Sequence, residues 1–194
     1  MIHPSLVLCD PDTLRTLSPE VLRDGFAEVI KYAVIGDGEL FSMLEKPDSL
    51  DMETVIARCV SQKSRIVEED ETDHGIRKHL NFGHTAGHAI ELRSKFSLMH
   101  GHGVAIGMII ATEYALRKEI CPAEVLSALS NLLTQYGLPT DAEYPVADLY
   151  EAATRDKKRE GAHIDVVLPT GIGACTLMRI PVTELPDFLA GGRA

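Results

Sequence analysis

The sequence predicts a mainly α-helical fold: a multihelical domain with an N-terminal orphan strand and a C-terminal β-hairpin. Six segments between residues 18 and 155 repeat apolar residues at the helical period. Only residues 163–180 change to β-rich runs on both sides of a turn, and only residues 5–10 form an isolated short apolar run. At 194 residues, the chain is long enough for one domain that buries roughly 70% of its unfolded surface.

The first two predicted helices have recognisable ends. Ser18 provides an N-cap for the first helix, which should stop at the Gly-Asp-Gly sequence of residues 36–38. Asp51 caps the second helix, which runs to about Glu69 and carries Cys59 on its apolar side. We therefore expect Cys59 to be a core residue.

The remaining helices follow from periodicity and from proline and glycine positions. Residues 76–93 are predicted to form the third helix, and residues 103–120 the fourth, which is central because its first half is apolar nearly all round. Residues 122–136 form the fifth, with proline at its start and glycine just past its end. Residues 146–155 form the sixth, and a short helix near residues 182–189 follows the hairpin.

Two β segments complete the prediction. The stretch HIDVVLPTGIGACTLMRI contains two β-rich runs around residues 169–171, which indicates a hairpin that turns there. The stretch SLVLCD near the N-terminus is typical of a single buried strand closed by Asp-Pro-Asp. Because no partner strand is near it in sequence, this orphan strand needs a sheet supplied by something else.

Charge and cysteine usage exclude several classes of function. A net charge of −10 argues against a nucleic-acid or anionic-membrane surface, since both need a broad basic field. No segment approaches the roughly 18 consecutive apolar residues of a membrane helix, and no basic leader precedes an apolar run. We therefore expect a cytoplasmic protein. The scattered cysteines indicate reduced thiols, with neither a zinc ribbon nor a disulfide framework: Cys9, Cys59, Cys121 and Cys175.

Closely spaced histidines are the main chemical signal. His84 and His88 are four residues apart on a predicted helix, so their side chains lie on one face, as in a metal site or a hydrogen-bonded structural pair. Gly83 and Gly87 disfavour a helix and indicate either a close approach to the backbone or tight helix packing. The motif is not the His-Glu-x-x-His of zinc proteases.

Further candidate ligands lie on both sides of this helix. His100 and His102 are predicted in a glycine-rich loop that could aim a side chain back at it, although simple solvent exposure is favoured for His102. A catalytic zinc needs three protein ligands, often with one carboxylate. Glu28 is the best candidate for this carboxylate, because it lies in a largely apolar predicted helix. The alternative interpretation of Glu28 is an ion pair with Lys31 on the protein surface.

Four other cations could together bind an anionic, phosphorylated substrate on this acidic protein. Each alone has a simpler interpretation as a solubilising surface residue. The four are Lys63, Arg77, Lys157 and Lys158.

Four separated motifs resemble the C-terminal half of the 3-dehydroquinate synthase family, in order and at the expected spacings. They are GFAEVIKYAVIGDGELF, VEEDETDHGIRKHLNFGHTAGHAIE, HGHGVAIGM and RDKK. The resemblance runs through essentially the whole chain, and LNFGHT is more similar to this enzyme than to related sugar-phosphate cyclases. It implies one helical metal- and substrate-binding domain over residues 1–194.

The resemblance also implies a ligand set and substrate contacts. Zinc or cobalt would be bound by Glu28, His84 and His100, with substrate hydroxyls completing the coordination. Lys63 and Arg77 would bind the substrate carboxylate, and Lys31 would contact its hydroxyls. Asn81 and His88 would lie near the phosphate, and one of Lys157 and Lys158 would add a further phosphate contact.

The implied reaction belongs to the shikimate pathway of aromatic amino acid biosynthesis. A seven-carbon keto sugar-acid phosphate is transiently oxidised by NAD, loses phosphate, is re-reduced and closes to 3-dehydroquinate, while the metal acts as a Lewis acid. The family's NAD-binding domain precedes the region seen here, and no G-x-G-x-x-G occurs in this sequence. We therefore expect the isolated chain to be inactive. The resemblance also implies that the complete protein is a homodimer.

One departure from the family pattern keeps alternatives open. His102 replaces a glutamate that is usual in the family, which could disturb the metal loop or add a ligand. The alternative functions are a related sugar-phosphate cyclase, an iron-type alcohol dehydrogenase domain, and a non-catalytic binding module.

Overall fold

The computed structural model describes residues 6–73, 75–154 and 162–191. This part of the chain is mainly helical and contains one two-stranded antiparallel sheet, as the sequence predicts. No helix in it is long and apolar enough to cross a membrane. The helices and strands are α1 (Pro19–Gly36), α2 (Gly38–Leu44), α3 (Met52–Glu69), α4 (His84–Arg93), α5 (His100–Arg117), α6 (Ala123–Gln135), α7 (Val146–Thr154), β1 (His163–Gly171), β2 (Ala174–Pro181) and α8 (Leu185–Ala190).

Local capping sets the helix starts that the sequence predicts. The Ser18 hydroxyl accepts a hydrogen bond from the Val21 amide, and the Asp51 carboxylate accepts one from the Thr54 amide. One helix, α2, was not predicted. It begins directly after α1 because Asp37 accepts a hydrogen bond from the Leu40 amide and restarts the chain as a new helix.

Helix α5 is the centre of the core, which confirms the prediction for the fourth helix. Thirteen of its 18 residues are buried, whereas no other described helix buries more than six. It contacts α1, α4, α6, α8 and β1. Tyr114, Met108 and Ile110 are among its fully buried side chains. Cys59 on α3 is only partly buried, and it packs against this core from outside.

The segment predicted as one helix over residues 76–93 is broken. A 3-10 helix covers Ile76–Asn81, and α4 begins at His84. Between them Gly83 has a φ of +80°, and a Cβ there would lie 2.6 Å from the carbonyl oxygen of Val104 on α5. Close contact with a neighbouring helix, absent from any local pattern, therefore ends the first helical segment.

The hairpin is present, but its turn lies later than predicted. Pro169 is paired with Cys175 inside the ladder, and Ile172 and Gly173 form the turn instead of residues 169–171. Gly173 has a φ of +82°, which favours glycine at this position. The predicted turn was wrong because that glycine, rather than the Pro-Thr-Gly sequence, allows the chain to reverse.

The predicted N-terminal strand is not formed in residues 6–10. Leu6, Val7 and Leu8 lack regular secondary structure and are at least 69% exposed, so the expectation of burial is wrong for this chain by itself. The segment lacks a partner, as its sequence indicates. The strands β1 and β2 pair with each other, and the described residues offer no further strand to which this segment could bond.

Candidate metal centre

Three separate helices bring Glu28, His84 and His100 together. Glu28 lies in the middle of α1, His84 begins α4 and His100 begins α5. The Glu28 Oε1 atom is 3.6 Å from His84 Nε2 and 3.4 Å from His100 Nε2. One ligand atom from each residue lies within 4.8 Å of the others. The predicted metal ligands are therefore neighbours in the structure.

The two oxygens of the Glu28 carboxylate have different surroundings. Oε2 accepts a hydrogen bond of 2.6 Å from the Lys31 ammonium. Oε1 is buried and has no hydrogen-bond partner among the described residues. A buried carboxylate oxygen without a donor is unfavourable. Because this oxygen faces two imidazole nitrogens, a cation between them would satisfy it.

Hydrogen bonds also orient the two imidazole rings. His84 Nδ1 lies 3.1 Å from the Phe82 carbonyl oxygen, which can only accept, so Nδ1 carries the proton. His100 Nδ1 lies 2.8 Å from Glu91 Oε1 and donates to it in the same way. Each ring then presents the lone pair of Nε2 towards Glu28. This second layer of partners is typical of histidines that bind metals.

The donor set and its spacing fit a zinc ion. Ligands at the usual zinc distances in a tetrahedron lie about 3.3–3.4 Å from one another. The Glu28–His100 and Glu28–His84 separations, 3.4 and 3.6 Å, are close to that value. Two neutral imidazoles and one carboxylate also leave one coordination position for substrate, as in catalytic zinc sites.

Lys31 makes the Glu28 interaction a buried one. Its side chain is only 4% exposed, so the alternative of a surface ion pair is wrong. Burial lowers the pKa of Lys31, with a further contribution from the positive charge of Lys63. Burial raises the pKa of Glu28, but Lys31 and the two histidines outweigh this effect and leave it below its usual value. The carboxylate is therefore ionised at neutral pH.

His84 should remain neutral well into the acidic range. Burial, followed by repulsion from Lys31, lowers its pKa to about 4 from 6.5. In the metal-free protein, we expect an NMR titration of the His84 ring to have its midpoint near pH 4. The unfolded chain binds this proton more readily, so the contribution of His84 to stability is present above about pH 6.5 and is lost towards pH 4. A midpoint near 6.5 would contradict this assignment.

A cavity of about 500 Å³ opens beside His84, one of the three candidate ligands. Asn81 and His88 line it together with His84, so two predicted substrate-binding residues are brought to the metal centre. The rest of the wall is formed by Thr85, Ala89, Glu91, Leu92, Phe96, Ala152, Ala153 and Asp165.

The other predicted substrate contacts are placed differently. Lys63 is exposed on α3 and lies near enough to affect Lys31 electrostatically. Arg77 lies on the 3-10 helix before α4, where its guanidinium donates to the Glu71 carbonyl oxygen at 2.9 Å. Neither is among the described residues that line the cavity. Lys157 and Lys158 lie outside the described residues.

Two acidic residues that were not predicted from the sequence form hydrogen bonds with histidines at the start of α5. Glu91 orients His100, and it could have been found because residues 84, 88 and 91 fall on one helical face. Asp24 accepts hydrogen bonds from both the His102 amide, at 2.9 Å, and His102 Nδ1, at 2.7 Å. The expectation of solvent exposure for His102 is wrong, because its side chain is only 17% exposed. Nor do His100 and His102 lie in a loop, since both belong to the first turn of α5.

The Asp24 carboxylate caps α5 from a different helix, and this predicts a stability effect. Replacing Asp24 with alanine should destabilise the protein by about 1–2 kcal/mol, because the first turn of α5 loses its acceptor. Urea unfolding would measure this change. Asp24→Asn keeps one acceptor oxygen and should lose less. Equal stability of Asp24→Ala and the native protein would show that Asp24 does not cap α5.

The comparisons with known proteins identify the family of this chain. The sequence profile described as 3-dehydroquinate synthase C-terminal matches residues 25–159, which include all three candidate ligands. The chain belongs to the 3-dehydroquinate synthase C-terminal family. The 3-dehydroquinate synthase of Streptococcus thermophilus is 39% identical over 195 residues, covering 96% of this chain. The chain spans only about half, 55%, of the length of that relative.

Solved structures of related cyclases share the fold. A 2-epi-5-epi-valiolone synthase from Streptomyces hygroscopicus, with NAD+ and Zn2+ bound, matches with a TM-score of 0.80 and 25% identity, over 93% of this chain and 53% of that one. A 2-deoxy-scyllo-inosose synthase complexed with carbaglucose-6-phosphate, NAD+ and Co2+ matches with a TM-score of 0.74 and 23% identity. The match covers 90% of this chain and 53% of that one. The second likeness establishes the fold alone.

Proposed function

We propose that this chain is the metal- and substrate-binding part of a 3-dehydroquinate synthase. In this proposal the enzyme converts a seven-carbon keto sugar-acid phosphate to 3-dehydroquinate with loss of phosphate, as a carbon–oxygen lyase. The observation that carries it is the buried Glu28 Oε1 atom, which has no hydrogen-bond donor and faces His84 Nε2 and His100 Nε2. Family membership supports the choice of reaction.

Glu28, His84 and His100 would hold a zinc or cobalt ion. The bound ion supplies Lewis-acid polarisation of hydroxyl and carbonyl oxygens. The zinc in the valiolone synthase structure supports zinc as the resident metal. Lys31 keeps the Glu28 carboxylate ionised through the 2.6 Å hydrogen bond and places a buried positive charge beside the ligands. A buried ammonium beside the metal is suited to bind a substrate hydroxyl.

The cavity residues would bind the rest of the substrate. Asn81 offers an amide and His88 an imidazole to the cavity wall, which suits a phosphate. We assign the substrate carboxylate to Lys63 and Arg77, and one further phosphate contact to Lys157 or Lys158. These assignments extend the family resemblance to residues that match its motifs.

Turnover is proposed to need an NAD-binding domain in addition to residues 1–194, in a complete protein that forms a homodimer. The relative from Streptococcus thermophilus is nearly twice as long as the region that matches. The exposed Leu6, Val7 and Leu8 provide an apolar segment that such a domain could cover. The NAD+ in the valiolone synthase structure supports the same cofactor here.

A reconstitution experiment tests this function. The chain would be mixed with the separately produced N-terminal part of the Streptococcus thermophilus enzyme, NAD+, zinc and the keto sugar-acid phosphate. We expect release of phosphate and formation of 3-dehydroquinate with both parts present, and neither with the chain alone or with its His84→Ala variant. Association of the two parts without turnover would instead favour a non-catalytic binding module.

Product analysis separates the enzyme alternatives. The fold is shared with cyclases that are named for other products. Incubating the reconstituted protein with other sugar phosphates should therefore give no cyclic product under conditions that yield 3-dehydroquinate. A different carbocycle formed at a higher rate would reassign the chain to a related sugar-phosphate cyclase.

A further inference from the structure

A second set of metal-binding side chains lies beside the first. His88, Glu91 and His100 each offer one ligand atom, and these atoms lie within 4.8 Å of one another. His88 and Glu91 are three residues apart on α4, so they share the face that carries His84. Two of these three residues take no part in the first ligand set. The cluster therefore extends beyond what a single ion would use.

His100 stands between two carboxylates. Its Nε2 lies 3.4 Å from Glu28 Oε1, and its Nδ1 lies 2.8 Å from Glu91 Oε1. The ring of His88 is 5.9 Å from that of His100, centroid to centroid, with only 34° between the ring planes. Each nitrogen of His100 thus faces its own carboxylate, and a second imidazole lies within reach of the Glu91 side.

The surroundings of this second set suit a divalent cation. Glu91 has a side chain only 12% exposed, so water shields its charge poorly. His88 is exposed and lines the 500 Å³ cavity, which gives a hydrated ion an entry path. Two imidazoles and one carboxylate are a donor set that zinc prefers.

We propose that His88, Glu91 and His100 form a second zinc site, of lower affinity than the first. The inference rests on the proposed function, because His100 is common to both sites. Binding of the second ion breaks the Nδ1–H bond of His100, forms a zinc–Nδ1 bond and releases one proton to the solvent. The site is weaker because this proton must leave and because the first ion already places positive charge on the same ring.

Zinc titration of the purified chain tests the second site. Competition with a chromophoric zinc chelator should resolve two zinc ions per chain in two steps of different affinity. Calorimetry in two buffers of different ionisation enthalpy should detect a released proton in the weaker step. A one-step titration that saturates at one ion per chain would overturn the proposal.

Three variants separate the two sites. His88→Ala should lower the zinc affinity of the second step and leave the first step intact. The loss should exceed the roughly tenfold that removal of a residue hydrogen-bonded to a ligand costs. Glu28→Gln should remove the tight step only. His163→Ala, at an exposed histidine outside both sets, should change neither. Circular dichroism would verify that each variant is folded.

The outcomes distinguish this inference from the proposed function. A second step that persists in His88→Ala would place the weak zinc elsewhere and overturn the inference, whatever happens to the tight step. A tight step that persists in Glu28→Gln would overturn the first metal site and, because His100 is shared, the second site as well.

Discussion

Replacing Glu28 with glutamine is expected to abolish tight zinc binding while leaving the protein folded. The amide is neutral and a poor zinc ligand. Zinc affinity should therefore fall by more than roughly 100-fold, which is the largest loss usual when a residue hydrogen-bonded to a ligand is removed. Glutamine keeps an oxygen that can accept from Lys31 Nζ, so the buried ammonium retains a partner. Elemental analysis after dialysis, together with a chelator competition titration, would measure the loss.

The matched control is Glu20→Gln, an exposed position in the first turn of the same helix. It removes the same charge from α1 without touching the ligand set and should retain full metal content. His84→Ala should behave like Glu28→Gln, because it removes a second ligand. Tight, near-stoichiometric zinc binding in both ligand variants would mean that these residues do not hold the metal.

Replacing Gly107 with alanine is expected to cause a large loss of stability together with loss of the metal. A Cβ at this position would lie 1.9 Å from the Gly83 carbonyl oxygen and 2.9 Å from the Gly87 amide nitrogen. Both are backbone atoms, one at the N-cap of α4 and one in its first turn, so neither can rotate away as a side chain would. We expect a cost of about 3 kcal/mol or more, at the upper end of overpacking effects.

Metal affinity should fall with stability in this variant, because α4 carries His84 and α5 carries His100. Forcing these helices apart separates the two ligands. Chemical denaturation and metal content, measured on the same preparation, would check both expectations. A folded Gly107→Ala protein with native stability would show that α4 and α5 can move apart without cost.

Gly25→Ala provides the opposite control. Gly25 lies inside α1, and a Cβ there would have no neighbour within 4 Å. Alanine is the better helix former by about 1 kcal/mol, so this variant should be more stable than the native protein. If both glycine variants were equally stable, helix packing would not be the reason for glycine at residue 107.

Much of the fold follows from local sequence. Ser18 and Asp51 start α1 and α3 because a cap needs only a side-chain oxygen and an amide three residues ahead. The central position of α5 follows from a helix that is apolar nearly all round. These features depend on residues within one or two helical turns, so they can be predicted from the local sequence.

The errors share a different physical cause. The helix predicted over residues 76–93 is interrupted because Gly83 meets the backbone of α5, and His102 is sheltered because Asp24 reaches it from α1. The N-terminal strand is not formed because the described residues offer it no further strand to pair with. In the first two cases the deciding neighbour is remote in sequence, and in the third the described part of the chain contains no neighbour that could pair with the segment.

The same division applies to the metal centre. The sequence by itself determined which side chains can bind a metal and that residues 84 and 88 share a helical face, since both follow from residue chemistry and the helical period. Only the tertiary structure decided that Glu28, 56 positions before His84, directs an unpartnered oxygen at both imidazoles. That convergence depends on glycines that let α4 and α5 pack backbone against backbone, and contacts of this kind leave no periodic signal in the chain.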